Sequence, residues 1–308
     1  MHQIVECVMN VSEGRDTLKL ETIARKIEAV PSAFLLDHSA DPDHHRTVFS
    51  FIGTPSSIFD ASFAAVKKAG QLIDMREHQG VHPRIGAVDV VPFVPVQNVS
   101  MKECVAVAHR LGKKISQTLQ IPVYFYAEAA LSPDREHLSG IRKDQFEGLH
   151  EQIKSDPRSK PDLGPGCLHP TAGATAIGAR QPLIAFNIYL NTSDVGQARE
   201  IAGLIRESGG GLTGVKALGF YIERKGLAQV SMNVTRYRKT SLLKIFKRVQ
   251  KEARRLQTEP VSSEIIGLVP QDAINPRTIR TLHLENFHSG QILENRIAKV
   301  MDNASRPD

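Results

Sequence analysis

The sequence predicts an α+β protein in two subdomains, residues 1–179 and 180–308, and three observations carry that reading. The chain has 308 residues, about twice the usual length of one domain, so each half is long enough to bury a core of its own. From Leu183 onward the elements fall in the order β-α-β-β-α-β, the split βαβ arrangement of a ferredoxin-like sandwich. The first half repeats the theme more loosely and is longer. In order, it reads as a strand Ile4 to Met9, a helix Leu18 to Ala29, strands Ala33 to Leu36 and Thr47 to Ile52, and a helix Ser56 to Ile73. A strand Val88 to Pro95, a helix Met101 to Leu119 and the β-prone Val123 to Tyr126 complete a mixed sheet with its helices on one side. Residues 130–165 hold many charges, prolines and glycines, and fit an insertion with helical pieces.

The second half starts with a β-rich run, Leu183 to Leu190, followed by a helical pattern that Ser193 can cap and that Gly209 to Gly211 stop. Val215 to Ile222 and Leu227 to Val234 read as a hairpin joined by the short polar Glu223 to Gly226. An amphipathic helix Thr240 to Leu256, a strand Glu264 to Val269 and a short helix Asn286 to Met301 close the order.

Composition excludes several function classes. Hydrophobic residues at 41% and charged residues at 23% are ordinary for a globular protein. No stretch approaches the ~18 uninterrupted apolar residues of a membrane span. The opening residues show no basic segment followed by an apolar one, so the expectation is a cytoplasmic protein without a membrane role. Cys7, Cys104 and Cys167 stand at unrelated spacings and are expected to be reduced and mostly buried thiols. The net charge of +6 is concentrated: Arg236 to Arg255 carries nine Lys/Arg against Glu252. That segment fits a solvated basic face, a site for acidic ligand tails, or nucleic acid. Only Tyr237 and Phe246 offer rings there, which supports base stacking poorly.

Three segments hold the chemistry. His78-Gln79-Gly80-Val81-His82-Pro83-Arg84-Ile85-Gly86 leads to Asp89 in a loop: Pro83 restricts His82 to extended backbone, so helical i,i+4 metal ligation is excluded. Imidazole exchanges a proton near neutral pH and the Arg84 guanidinium can hold a carboxylate, which suits group transfer to an amine. A satisfied loop histidine beside a structural arginine fits equally well. Asp162-Leu163-Gly164-Pro165-Gly166-Cys167-Leu168-His169-Pro170-Thr171-Ala172-Gly173, continuing to Arg180, offers tight turns with exposed amides, as either a ligand slot or an interdomain linker. It lacks the register of a dinucleotide fingerprint or a P-loop. Asp37-His38-Ser39-Ala40-Asp41-Pro42-Asp43-His44-His45-Arg46 is expected to be a Pro-containing loop whose acids partner Arg46 or His82 rather than a metal.

At these residues the chain resembles the glutamate formimidoyltransferase family. Val5-Glu6-Cys7-Val8 with Asn10-Val11-Ser12-Glu13-Gly14 is similar to the family's opening strand and loop, and Gly80 to Asp89 to its catalytic-histidine segment. Gly164 to Arg180, Leu183 to Asn187, Leu227 to Ser231 with Asn233, and Ile266 to Pro270 extend the resemblance over about residues 3–275. The resemblance implies two ferredoxin-like subdomains in a homodimer, with mixed sheets facing each other and helices outside. It implies transfer of the formimidoyl group between tetrahydrofolate N5 and the amino group of glutamate, with tetrahydrofolate as cosubstrate and no metal. It places catalysis on His82 and folate on Gly164 to Gly173; Arg84, Asn10 and Ser12 join the site on chemical grounds. Family members from animals carry an acid at the position of Ser39, and Asp37, Asp41 or Asp43 could replace it in orienting the histidine. Deamination is expected to belong to a separate cyclodeaminase chain. The rival readings are a 5-formyltetrahydrofolate-dependent formyltransferase and a basic nucleic-acid-binding protein.

Overall fold

The computed structural model describes residues 3–42, 44–80 and 83–304, and the chain divides into two compact units after Arg180. The first unit runs β1 (Ile4–Val11), α1 (Thr17–Glu28), β2 (Ala33–Asp41), β3 (Arg46–Gly53), α2 (Pro55–Leu72), β4 (Val88–Gln97), α3 (Met101–Leu119) and β5 (Val123–Ala127). The short α4 (Leu138–Ile141), α5 (Gln145–Ser155) and β6 (Thr175–Ala179) complete it. Its six strands lie in the order β2-β3-β1-β4-β6-β5. The first four are antiparallel, as in a ferredoxin-like sandwich, whereas β6 pairs parallel to both β4 and β5.

Alternation along the strands decides which face is buried against what. Cys7, Met9, Phe51, Phe93 and Phe125 point to the face covered by α1, α2 and α3, whose Ile23, Ile58, Ala65 and Leu111 complete the main core. Capping fixes where these helices begin: Asp16, Thr54 and Ser100 each accept a backbone N–H of the first turn, and Glu103 closes a capping box with Ser100. On the opposite face Val90, Tyr124, Tyr126 and Ala176 pack with Leu149 and Ile153 of α5 and with Leu168. Helices therefore cover both faces at the β4-β6-β5 end, where the sequence suggested one side only. The insertion supplies α5 as a lid on the second face.

The second unit runs β7 (Ile184–Leu190), α6 (Val195–Ile205), β8 (Val215–Ile222), β9 (Leu227–Val234), α7 (Leu242–Arg255), β10 (Pro260–Ile266), α8 (Pro276–Thr281) and α9 (Leu293–Ala304). The sheet order β10-β7-β9-β8 with antiparallel pairing throughout is the ferredoxin-like order expected. Ile184, Phe186, Ile188, Val230, Ile245, Phe246 and Val249 form its core. Four boundaries differ from expectation. Asp194, not Ser193, caps α6. β10 is an edge strand, so Pro260 can open it, and Gly267 in left-handed backbone (φ 73°) ends it early. Asn275 caps the unforeseen α8 through the Thr278 N–H, with Pro276 at its first position. The last helix starts only at Leu293, after left-handed Asn286 and a turn at Ser289–Gln291.

Candidate active site

Strand direction gathers the sequence-flagged segments at one end of the first sheet. β1 and β2 end there, while β3, β4 and β6 begin there, so the loops after Val11, Asp41, Leu72 and Asp162 are neighbours. Backbone bonds stitch them together. Ser12 N–H donates to the Ala87 carbonyl at 2.9 Å, Ala87 N–H to Ala172 at 2.9 Å, and Ala174 N–H to Ile85 at 2.9 Å. The buried Ser12 hydroxyl donates to the Gly86 carbonyl at 2.7 Å. Gly86 and Gly173 cross at one bridge, so close that a Cβ on Gly86 would lie 2.1 Å from the Ala174 oxygen. Gly173 also needs its left-handed φ of 70°. Asn10, on β1 between Val48 and Val90, carries a buried amide oxygen with no hydrogen-bond partner among the described residues.

The stretch Gly164 to Gly173 folds as turns anchored at its end. His169 and Gly173 exchange both backbone bonds at 3.0 Å. The His169 Nδ1 accepts from Ala172 N–H at 3.0 Å and Thr171 N–H at 3.3 Å, leaving Nε2 as the protonated nitrogen of the neutral ring. Burial lowers its pKa below the usual histidine value. Leu168 is buried, Pro165 half-buried, and Gly164, Gly166, Cys167 and Pro170 exposed. Cys167 thus departs from the expectation of a buried thiol, because it sits at a turn tip, whereas Cys7 and Cys104 are buried. Leu168, His169 and Pro170 line a pocket of about 330 Å³ with Arg76, Phe146, Glu147 and His150. The continuation Thr175 to Ala179 is a central strand, β6, and not a loop or linker. Its small residues conceal it: Gly178 and the alanines leave room for neighbours such as the Tyr126 ring.

His82 and Asp43 lie outside the described residues. The backbone on either side of the His82 segment is anchored. All five N–H groups of buried Arg84 find acceptors: Nε on His78 Nδ1 (3.1 Å), Nη1 on Gln145 and Glu147 (both 2.9 Å), Nη2 on the His78 carbonyl (3.3 Å) and Glu147 (2.5 Å). The Arg84 hydrogen bonds hold the Glu147 carboxyl below the usual carboxylate range. Buried Asp89 accepts the Ile85 N–H at 3.0 Å and also pairs with Arg142.

The acid- and histidine-rich segment is a hairpin and not a free loop. β2 extends through Asp41, placing Asp37 opposite Ser50, Ser39 opposite Val48 and Asp41 opposite Arg46. Strand pairing with the strongly β-prone Thr47 to Phe51 carries the polar residues into the sheet. Its turn meets a network that the sequence reading did not assemble. One oxygen of buried Glu13 accepts N–H bonds from Gly14, Arg15 and Asp16 at 2.9–3.1 Å and faces His45 Nε2 at 3.0 Å. Lys19 stands 3.6 Å from the other oxygen. Burial raises the Glu13 pKa, but the backbone donors and His45 outweigh it and the net shift is downward. The His45 and His78 rings stack at 4.3 Å with 10° between their planes. Glu13 lay in plain view within the Asn10 to Gly14 motif, whereas Glu147 of the insertion gave no signal. Among the described residues no group of three or more His, Cys, Asp or Glu is arranged to hold a metal ion.

In the second unit, Glu264 on β10 accepts from Tyr189 Oη at 2.8 Å, Asn187 at 3.0 Å and Gln229 at 3.3 Å, a polar row across three strands. On the basic helix α7, Arg248 and Arg255 pair with Glu252, and Arg255 also with Glu200. Lys244, Lys247, Lys251 and Arg254 carry no acid partner among the described residues.

Comparison with known proteins gives a family for both units. The N-terminal subdomain of the formiminotransferase domain matches residues 4–180, and a second formiminotransferase-domain model matches residues 185–289. The chain is 46% identical to a glutamate formimidoyltransferase of Thermoplasma acidophilum, covering 96% of this chain and 98% of that protein. It is 42% identical to the enzyme of the same name from Streptococcus pyogenes, covering 96% and 99%. Formimidoyltransferase-cyclodeaminase of Mus musculus is 44% identical over 89% of this chain and 51% of its own length.

Proposed function

We infer that this chain, which belongs to the formiminotransferase family, is a glutamate formimidoyltransferase that moves the formimidoyl group between N-formimidoyl-L-glutamate and tetrahydrofolate. The observation that carries this reading is similarity over nearly the whole length to two proteins of that name. The convergence of the Ser12, Arg84 and Gly173 segments at one sheet end supports a site there.

In the reaction proposed, the tetrahydrofolate N5 lone pair attacks the formimidoyl carbon, a C–N bond forms, and the tetrahedral intermediate collapses with cleavage of the bond to the glutamate nitrogen. The N5 proton must leave and the departing amine must gain one, and a single imidazole serves both steps. We assign that work to His82. Folate is assigned to Gly164, Pro165, Gly166, Cys167, Leu168, His169, Pro170, Thr171, Ala172 and Gly173, whose turns edge the pocket. Asn10 offers a substrate N–H an acceptor that no described residue uses, and Ser12 holds the Gly86 backbone. Arg84 has its five donors engaged, so a substrate carboxylate reaches it only by displacing the exposed Glu147. The same reading takes the enzyme to be a cytoplasmic homodimer in histidine degradation and folate one-carbon metabolism, with tetrahydrofolate as cosubstrate, no metal, and a separate cyclodeaminase chain. No helix among the described residues is long and apolar enough to cross a membrane.

Initial rates with 5-formimidoyltetrahydrofolate and 5-formyltetrahydrofolate as donors to glutamate test the reading. A clear preference for the formimidoyl donor is expected; a clear preference for the formyl donor overturns it.

A further inference from the structure

Hydrogen bonding around the stacked histidine pair fixes the protonation of both rings. His78 Nδ1 receives the Arg84 Nε–H at 3.1 Å, and a guanidinium has no acceptor, so Nδ1 carries no proton. Its other nitrogen, Nε2, therefore bears the hydrogen and donates to the His45 carbonyl at 3.0 Å. His78 is the neutral ring, in agreement with the lowering of its pKa by burial. His45 is placed oppositely. Nδ1 faces the Gln79 carbonyl at 2.8 Å and Nε2 faces the Glu13 carboxylate at 3.0 Å. Both are pure acceptors, because the Glu13 oxygen already takes three backbone N–H bonds and is ionised. Only an imidazolium makes both bonds. A cationic ring stacked on a neutral one, 87% removed from solvent and beside an ionised carboxylate (side-chain exposures 13% and 7%), is a consistent arrangement.

The two rings clasp the backbone reciprocally. His45 holds the carbonyl of residue 79 while His78 holds the carbonyl of residue 45. The hairpin turn presses close enough that a Cβ on Gly80 would stand 2.7 Å from both the His44 oxygen and the His45 Cβ. We propose that His45, as an imidazolium bridging Glu13 and Gln79, is a positioning residue that fixes the entry to the segment carrying the acid-base histidine. The proposal rests on the reading of His82 given above. Among the described residues, the charged and titratable groups at His45 are Glu13, with Lys19 beyond it on the β1–α1 side, and His78 with Arg84 behind it, while Asp41 and His44 pair with each other on its own hairpin.

Nitrogen-15 NMR of the histidine side chains of the full-length protein, with His45 assigned by its absence in His45→Asn, reads the protonation directly. At neutral pH both His45 nitrogens are expected to be protonated; one bare nitrogen overturns the bridge, whatever the enzyme's activity. Kinetics then test positioning. His45→Ala is expected to lower kcat by up to about 10²-fold, the cost of a misplaced reacting group, with little change in the KM for folate. His45→Asn keeps an amide N–H where Nδ1 stood and tolerates the left-handed φ of 50°. It is expected to recover most of that kcat. Normal kcat in a folded His45→Ala protein overturns the positioning role. A failed His82 assignment shows itself separately, as normal kcat in His82→Ala with the NMR result unchanged.

Discussion

Removing the Arg84 guanidinium separates a scaffold anchor from a substrate clamp. Arg84→Ala leaves three neutral acceptors without their donor: His78 Nδ1, the His78 carbonyl and Gln145 Oε1. At about 1 kcal/mol for each such bond, they sum to about 3 kcal/mol. The Glu147 carboxylate is different: its side chain is 62% exposed, water replaces the guanidinium, and the pair contributes at most about 1 kcal/mol. The substitution is expected to cost about 3–4 kcal/mol, which for a unit of this size lowers the midpoint of thermal unfolding by roughly 6–16 °C. Glu147→Gln is expected to cost about 1 kcal/mol or less by the same reasoning. Differential scanning calorimetry of the three proteins at neutral pH measures both. An Arg84→Ala protein with wild-type unfolding but a greatly raised KM for glutamate would refute the reasoning, since the guanidinium would then be free to serve the substrate.

Stability should fall in acid in two windows. His78 is held below its ordinary 6.5, so the unfolded chain binds the extra proton first and stability is lost as pH drops from about 6.5 to the folded value. Glu13, held below its ordinary 4.5, contributes above that value and loses its contribution as pH falls through the lowered one. Thermal melts between pH 7.5 and 4 should show the first loss in wild type and a flattened one in His78→Gln. Gly173→Ala forces left-handed backbone on an L-residue, about 1–2 kcal/mol, and sets a Cβ 2.4 Å from the Ile85 oxygen. Calorimetric titration should show weakened folate binding, and unchanged affinity would detach this bridge from the site. Replacing Lys247, Lys251 and Arg254 together with Gln should leave kcat near wild type and raise KM more for polyglutamylated than for monoglutamyl folate. Equal effects would mark α7 as a solvated face.

Much of the fold was legible because periodicity was strong. The β-α-β-β-α-β order of the second unit and the helices of the first followed from the spacing of their apolar residues. β6 was missed because Thr-Ala-Ile-Gly-Ala has little β-branched bulk and owes its conformation to β4 and β5 on either side. β2 was cut short at Leu36 because Asp37 to Asp41 are polar, and only pairing with β3 makes them a strand. In the candidate site, Gly86, Gly173 and Arg84 were singled out from local chemistry. The crossing of Gly86 with Gly173 and the ties of Arg84 to Gln145 and Glu147 were not legible, since they depend on which segments the sheet brings together. The Glu13–His45–His78 arrangement joins residues 13, 45 and 78, and no local pattern announces a contact across such separations.

Following a carbon-13-labelled formimidoyl group by NMR, from N-formimidoyl-L-glutamate to tetrahydrofolate, tests the central claim most directly, with wild type, His82→Ala and the exposed control His137→Ala compared. Wild type and the control should place the label on folate N5 with release of glutamate, while His82→Ala should do so about 10²- to 10⁴-fold more slowly with folate affinity retained. Label that stays on glutamate with the wild-type enzyme, or that moves as fast in a folded His82→Ala protein, would contradict the account.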